Sequence, residues 1–190
     1  MSRDDRLHWD KIYGSRAAEA ARASRSRPEP FLVANASLLR PGRTIDLAAG
    51  SGRNAQFLAT LGHRVLAVDA ARRGLIEIRH GRLSIDIAHM DLDHPGFRPG
   101  STDNVLCINF LDRALFPDIR RWLRPGGMLL VDTFLIDQRV IGHPRDPAHL
   151  LEHNELLRLL DGFRILRYRE GEVRDSEEPM FRAGAVAEKN

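Results

Sequence analysis

Residues 43–70 read RTIDLAAGSGRNAQFLATLGHRVLAVDA, and the order of apolar runs and glycines in this stretch decides what kind of sheet the chain builds. A short apolar run, Ile45 to Ala49, enters a turn bracketed by Gly50 and Gly52. Ala55 to Leu61 then has helical apolar spacing, Gly62 stops it, and a second apolar run, Val65 to Val68, ends on Asp69. Strand, tight turn, helix and strand make one βαβ unit, which requires a parallel sheet. The two glycines let backbone approach a ligand closely, and the N–H groups at the helix start carry partial positive charge into the same space. Asp69, at the end of the second strand, is placed to accept hydrogen bonds from the vicinal hydroxyls of a ribose. The unit is expected to bind a nucleoside.

Gly50-Ser51-Gly52-Arg53-Asn54-Ala55 satisfies G-x-G-x-x-G/A, so a nicotinamide enzyme is one reading. Two features point elsewhere. Asp46 lies inside the first strand, four residues before Gly50, where a negative charge suits a ligand with a cation better than a pyrophosphate. Lysine occurs only at positions 11 and 189, so no Tyr-x-x-x-Lys pair is present to activate a hydroxyl for hydride transfer.

Asp46-Leu47-Ala48-Ala49-Gly50-Ser51-Gly52-Arg53-Asn54 resembles motif I of the class I S-adenosylmethionine-dependent methyltransferases, in the branch near tellurite-resistance and thiopurine methyltransferases. That branch commonly has D-L-G-C-G-x-G-R-N, so Ala48 stands where its first glycine falls. Leu123-Arg124-Pro125-Gly126-Gly127 before an apolar strand, Met128 to Phe134, is a second point of likeness. The resemblance implies a single-domain Rossmann-like three-layer sandwich, with a seven-stranded mostly parallel sheet of order 3-2-1-4-5-7-6 and strand 7 antiparallel. It implies S-adenosylmethionine as cofactor and methyl transfer by in-line displacement. Asp46, Ala48, Gly50, Gly52 and Asn54 would border the methionine end, Asp69 and Ala70 the ribose, and Asp91 and Leu92 the adenine. Asn109 would border the cofactor and, with Arg113, the reacting atoms. Related sequences often carry His-Arg where this chain has Asp112-Arg113. Trp9, Tyr13, Arg113, Thr133 and Arg145 are the expected substrate-side residues.

The remaining chain fits that frame. Asp4 to Ala23 reads as a polar helix with Trp9 and Tyr13 four residues apart, followed by an Arg/Ser/Pro linker from Arg22 to Pro30; positions 1–40 are expected to form a helical lid on a core at 43–190. Phe31 to Leu39 reads as a short helix closed by Pro41-Gly42. After Asp69 the pattern predicts a helix over Arg72 to His80 and a strand over Leu83 to Ala88. Asn104 to Ile108, nearly all apolar, reads as a central strand buried on both faces. Helices are expected over Leu115 to Leu123 and Leu150 to Leu160, and closing strands over Phe163 to Tyr168 and Met180 to Ala187. The loop Gly142 to Pro147 is expected to cover substrate.

Composition bounds the alternatives. The 190 residues suit one α/β domain; 43% are hydrophobic and 29% charged, ordinary for a globular protein. No apolar run approaches a membrane span and MSRDDRLHWD has no signal-peptide core, so a cytoplasmic protein without a membrane partner is expected. The single Cys107 sits in an apolar run and reads as packing in a reducing compartment. Of 29 basic residues, 27 are arginine, spread along the chain rather than gathered, so a small-molecule acceptor is expected over nucleic acid. His149-Leu150-Leu151-Glu152-His153 matches H-x-x-E-H, but no third ligand is evident and no metal is expected. A nicotinamide-dependent oxidoreductase, an RNA-modifying methyltransferase and a non-catalytic cofactor-binding module remain the alternatives. The sequence does not give the oligomeric state.

Overall fold

The computed structural model describes residues 27–79, 83–93, 95–175 and 179–190. The expected helix at 4–23, with Trp9 and Tyr13, lies outside them. One seven-stranded sheet has the order β3-β2-β1-β4-β5-β7-β6. Its strands are β1 (Arg43–Leu47), β2 (Arg64–Asp69), β3 (Asp86–His89), β4 (Thr102–Ile108), β5 (Leu123–Phe134), β6 (Phe163–Val173) and β7 (Met180–Lys189). Strands β1 to β5 pair in parallel, and β7 runs antiparallel to both β5 and β6. The predicted topology is the observed one.

Every residue of β4 is buried, which follows from its place between β1 and β5 with helices on both faces. On one face Ile45, Leu47, Val105, Cys107, Leu129 and Val131 meet helices α4 (Leu115–Trp122) and α5 (Glu155–Leu159). Trp122 is the largest side chain fully withdrawn from water there, and Phe97 meets its ring edge-on at 4.9 Å. On the other face Ala67, Leu106, Ile108 and Leu130 pack against α1 (Pro30–Asn35), α2 (Arg53–Thr60) and α3 (Arg72–Arg79). Thr44 and Asp46 belong to this second face, because side chains alternate along β1. Among the described residues no helix is long and apolar enough to cross a membrane.

Several element boundaries differ from the sequence reading. The helix expected over Leu150 to Leu160 forms only at Glu155–Leu159. Ahead of it, Pro147–His149 is a 3-10 turn capped by Asp146, and Leu151 bridges the end of β5, its N–H donating to Phe134 at 2.9 Å. His149 and His153 therefore do not share a helical face. Strand β5 begins at Leu123, opposite Thr102, before the Arg-Pro-Gly-Gly excursion; pairing resumes at Asn104 and Met128. Gly126 takes φ +72 in that excursion. Strand β3 starts at Asp86 rather than Leu83, Phe31 to Leu39 divides into α1 and a 3-10 turn at Ala36–Leu38, and the charged run after Tyr168 continues β6 to Val173.

Candidate functional site

The parallel strands deliver their carboxyl ends, and the turns that follow them, to one edge of the sheet, the usual ligand edge of such folds. After β1, three residues take left-handed backbone: Ala48 (φ 53), Gly50 (φ 56) and Gly52 (φ 79). The turn is held from three sides. Ala49 donates to Val68 at 3.0 Å, Gly52 donates to Ala49 at 2.9 Å, and Gly50 donates to Asp69 Oδ2 at 2.7 Å. Gly52 is required by packing as well as conformation, since a Cβ there would lie 2.5 Å from Ile78 Cγ1 of α3. Gly74 of α3 presses on the same turn, where a Cβ would meet the Gly50 carbonyl oxygen at 2.5 Å.

Beneath the turn lies Asp46, 1% exposed. Its carboxyl accepts from the Ala55 backbone, while Oδ2 has no hydrogen-bond partner. Burial, then the nearby Asp69 charge, push its pKa up to about 7, against the pull of Arg53. An unpartnered buried carboxylate oxygen costs free energy until a cation approaches it. The donor set thus fits a ligand whose positive end comes to rest over the turn.

The other predicted residues are placed as follows. Asp69 Oδ1 takes the Ala71 N–H at 2.7 Å, so both of its oxygens brace backbone at the β2 exit. Ala70 is buried, and its carbonyl accepts from His89 Nε2 at 3.0 Å. Asp91 is half-buried and caps its own turn through the Asp93 N–H at 3.1 Å, whereas Leu92 is 1% exposed within the core that includes Val68. Met90 donates to Asp69 at 3.0 Å, joining the exits of β2 and β3. Asn109 leaves β4 with φ 55 and stands exposed, its Oδ1 accepting from Arg182 at 2.7 Å. Arg113 gives its donors to Glu155 (2.6 and 2.9 Å) and to the Ala148 and Leu150 carbonyls (3.0 and 2.8 Å). Thr133 is buried in β5, and the exposed Arg145 reaches back to the Gly142 carbonyl at 3.3 Å. Among the described residues no three His, Cys, Asp or Glu side chains could share a metal ion.

Beside these sits a buried charge cluster that sequence reasoning missed. Asp132 of β5 takes Arg182 of β7 at 2.6 Å and Arg169 of β6 at 3.1 Å. Burial raises the Asp132 pKa and the two guanidiniums oppose the shift. Glu29, only 4% exposed, pairs with Arg53 at 2.7 Å, accepts from Asn109 Nδ2 at 3.4 Å, and donates its own N–H to Asn54 Oδ1 at 2.9 Å. A lone acid inside the apolar run MLLVDTF was the available signal for Asp132. Glu29 between two prolines gave none.

Comparisons with known proteins bear on the domain and the fold. A family model described as a methyltransferase domain matches residues 45–127, from β1 to the excursion in β5. The chain is 35% identical over 136 residues to a cypemycin N-terminal methyltransferase of Streptomyces, covering 64% of this chain and 56% of that protein. It is 31% identical over 101 residues to a demethylmenaquinone methyltransferase of Clavibacter sepedonicus, covering 48% and 41%. The chain thus spans about half the length of the curated relatives it matches. The crystal structure of TehB from Haemophilus influenzae superposes with a TM-score of 0.71 at 21% identity, covering 85% of this chain and 62% of that one. That likeness concerns the fold.

Proposed function

We propose that this chain, a member of the class I S-adenosylmethionine-dependent methyltransferases by its matched domain and its sheet order, methylates a small-molecule acceptor. The observation that carries the reading is the left-handed turn at 48–52 lying over the unpartnered oxygen of Asp46. When bound, S-adenosylmethionine supplies an electrophilic methyl on a sulfonium. The chain's part is to bind, orient and exclude water, because bringing the two atoms into line accounts for most of the acceleration in such a displacement.

In this reading Asp46 answers the ammonium of the methionine end, and Gly50, Gly52 and Asn54 give that end its backbone cradle beside Ala48. Asp69 and Ala70 receive the ribose; Asp91 and Leu92 flank the adenine. Asn109, strained and exposed at the β4 exit, stands between cofactor and acceptor. Arg113, with its guanidinium spent on Glu155 and two carbonyls, pins the 148–155 segment that borders the acceptor. Thr133, Arg145, Trp9 and Tyr13 complete the substrate side. The two relatives are named for different acceptors, a cypemycin N-terminus and demethylmenaquinone, and both are compatible with a compact acceptor rather than a folded nucleic acid.

Thermal unfolding with each candidate ligand tests the reading. S-adenosylhomocysteine should raise the melting temperature and NADH should leave it in place. Stabilisation by NADH alone would replace the methyltransferase reading with the nicotinamide one.

A further inference from the structure

Two donors, Arg53 and the Asn109 amide, reach the Glu29 carboxylate, and the charge of Arg182, whose Nη2 already donates to Asp132 and Asn109 Oδ1, stands near it. Arg53 reaches Oε2 at 2.7 Å, whereas Asn109 Nδ2 stands at 3.4 Å and Arg182 stands 3.7 Å from Oε1. Good N–H···O bonds lie at about 2.7 to 3.2 Å, so two of the three contacts are loose. Glu29 itself is buried, yet Asn109 is exposed, so the cluster opens to solvent on that side. Arg182 already has Asp132 at 2.6 Å; Arg53 has Glu29 and, at 3.3 Å, the Arg27 carbonyl. The field of Arg53 also reaches Asp46. One guanidinium therefore acts on two buried acids, Asp46, whose Oδ2 has no partner, and Glu29, which the chain itself supplies.

An amino-acid end group carries one positive and one negative charge. An ammonium answered by Asp46 would leave the carboxylate of the same end group to a guanidinium, and Arg53, whose charge reaches Asp46, is the one that now holds Glu29. Two carboxylates cannot share that guanidinium without mutual repulsion. The backbone of Glu29 can stay, because its N–H is held by Asn54 Oδ1 at 2.9 Å; only the side chain has to rotate.

Resting on the cofactor assignment above, we propose that Arg53, Arg182 and the Asn109 amide form a carboxylate receptor at the mouth of the glycine turn. Glu29 fills it in the free protein, and the carboxylate of the cofactor's amino-acid end displaces Glu29 on binding. Glu29 is then an internal competitor that lowers apparent affinity by the fraction of time it occupies the receptor.

Calorimetric titration of the full chain with two ligands sharing one nucleoside tests this. S-adenosylhomocysteine carries the amino-acid end and 5′-methylthioadenosine lacks it. In Glu29→Gln the first should bind about tenfold tighter than in wild type and the second should change by less than about twofold, since the competitor is removed for one ligand only. Glu29→Ala should show the same selectivity. Equal or weaker binding of S-adenosylhomocysteine in both variants, with circular dichroism unchanged, would make Glu29 a structural support and overturn the proposal. In the wild-type chain, the Arg53 Nε–H resonance should move with S-adenosylhomocysteine and stay with 5′-methylthioadenosine, a readout that needs no variant; an unmoved resonance also overturns it. Binding of neither ligand to any form would instead remove the nucleoside site itself, and the proposal with it.

Discussion

Replacing Asp46 by Asn isolates the electrostatic centre of the site. In the folded chain the Asp46 carboxyl titrates at about 7, against 3.8 for an unperturbed aspartate, because burial and then Asp69 disfavour its charge. One unit is worth 1.36 kcal/mol, so the whole shift corresponds to about 4 kcal/mol of penalty on the ionised form. The folded value lies above the unfolded one, so the native state keeps a proton that the unfolded chain has already released. Stability is then intact below about pH 4 and is lost as pH rises to about 7. Between pH 5 and pH 8 the wild type should lose about 2.5 kcal/mol relative to Asp46→Asn, which has no proton to lose there. Urea unfolding of both proteins at those two pH values measures the difference directly. Whatever fixed cost the amide carries at this position cancels in the comparison. S-adenosylhomocysteine should also bind wild type more tightly at pH 8 than at pH 5.5, a trend absent in the variant. Parallel stability curves would show that Asp46 is not held near neutrality and would refute the electrostatic account of the turn.

Three further outcomes are expected. Ala48→Gly relieves a left-handed alanine costing about 1 to 2 kcal/mol, less up to about 1 kcal/mol for the freer unfolded glycine, so chemical denaturation should show a modest gain in stability. Asp69→Ala unties the Gly50 and Ala71 N–H groups and any ribose hydroxyl, and should weaken S-adenosylhomocysteine binding by about 1 to 3 kcal/mol in calorimetry; wild-type affinity would place the ribose elsewhere. His63, half-buried with Nδ1 3.1 Å from Thr44 Oγ1, is held below the usual imidazole value by burial, so its stabilising contribution is present above about pH 6.5 and fades as pH falls. An NMR titration of the ring should find its midpoint under that of a free histidine.

Much of this molecule could be read from its residues because period and glycine placement are local. The run from Arg43 to Ala70 yields β1, the turn, α2 and β2 with ends displaced by one or two residues, and the nearly unbroken apolarity of 104–108 puts β4 at the centre. What escaped the sequence depends on distant partners. Leu150 to Asn154 has helical spacing, yet Leu151 exchanges backbone hydrogen bonds with Phe134 and Ile136 at the end of β5, which no periodicity reveals. That Arg113 gives its guanidinium to Glu155, 42 residues away, was equally hidden. Glu29 reads as linker because only the fold brings it to Arg53 and Asn109. Asp46 and Asp69 were legible because the strands that hold them lie at the two ends of a single crossover.

Helix α3 gives the glycine turn a rigid backstop, with Gly74 touching one end and Ile78 lying under the other. The loop consequently keeps its shape whether or not anything rests on it, and an arriving molecule meets a mould already set, with little ordering left to be done. Evolution is constrained twice at these points. A descendant that abandoned its ligand would still need Gly52 and Gly74 for the helix to seat, whereas the unsatisfied acid at Asp46 would have no such excuse and should be the first of them to drift toward an apolar residue.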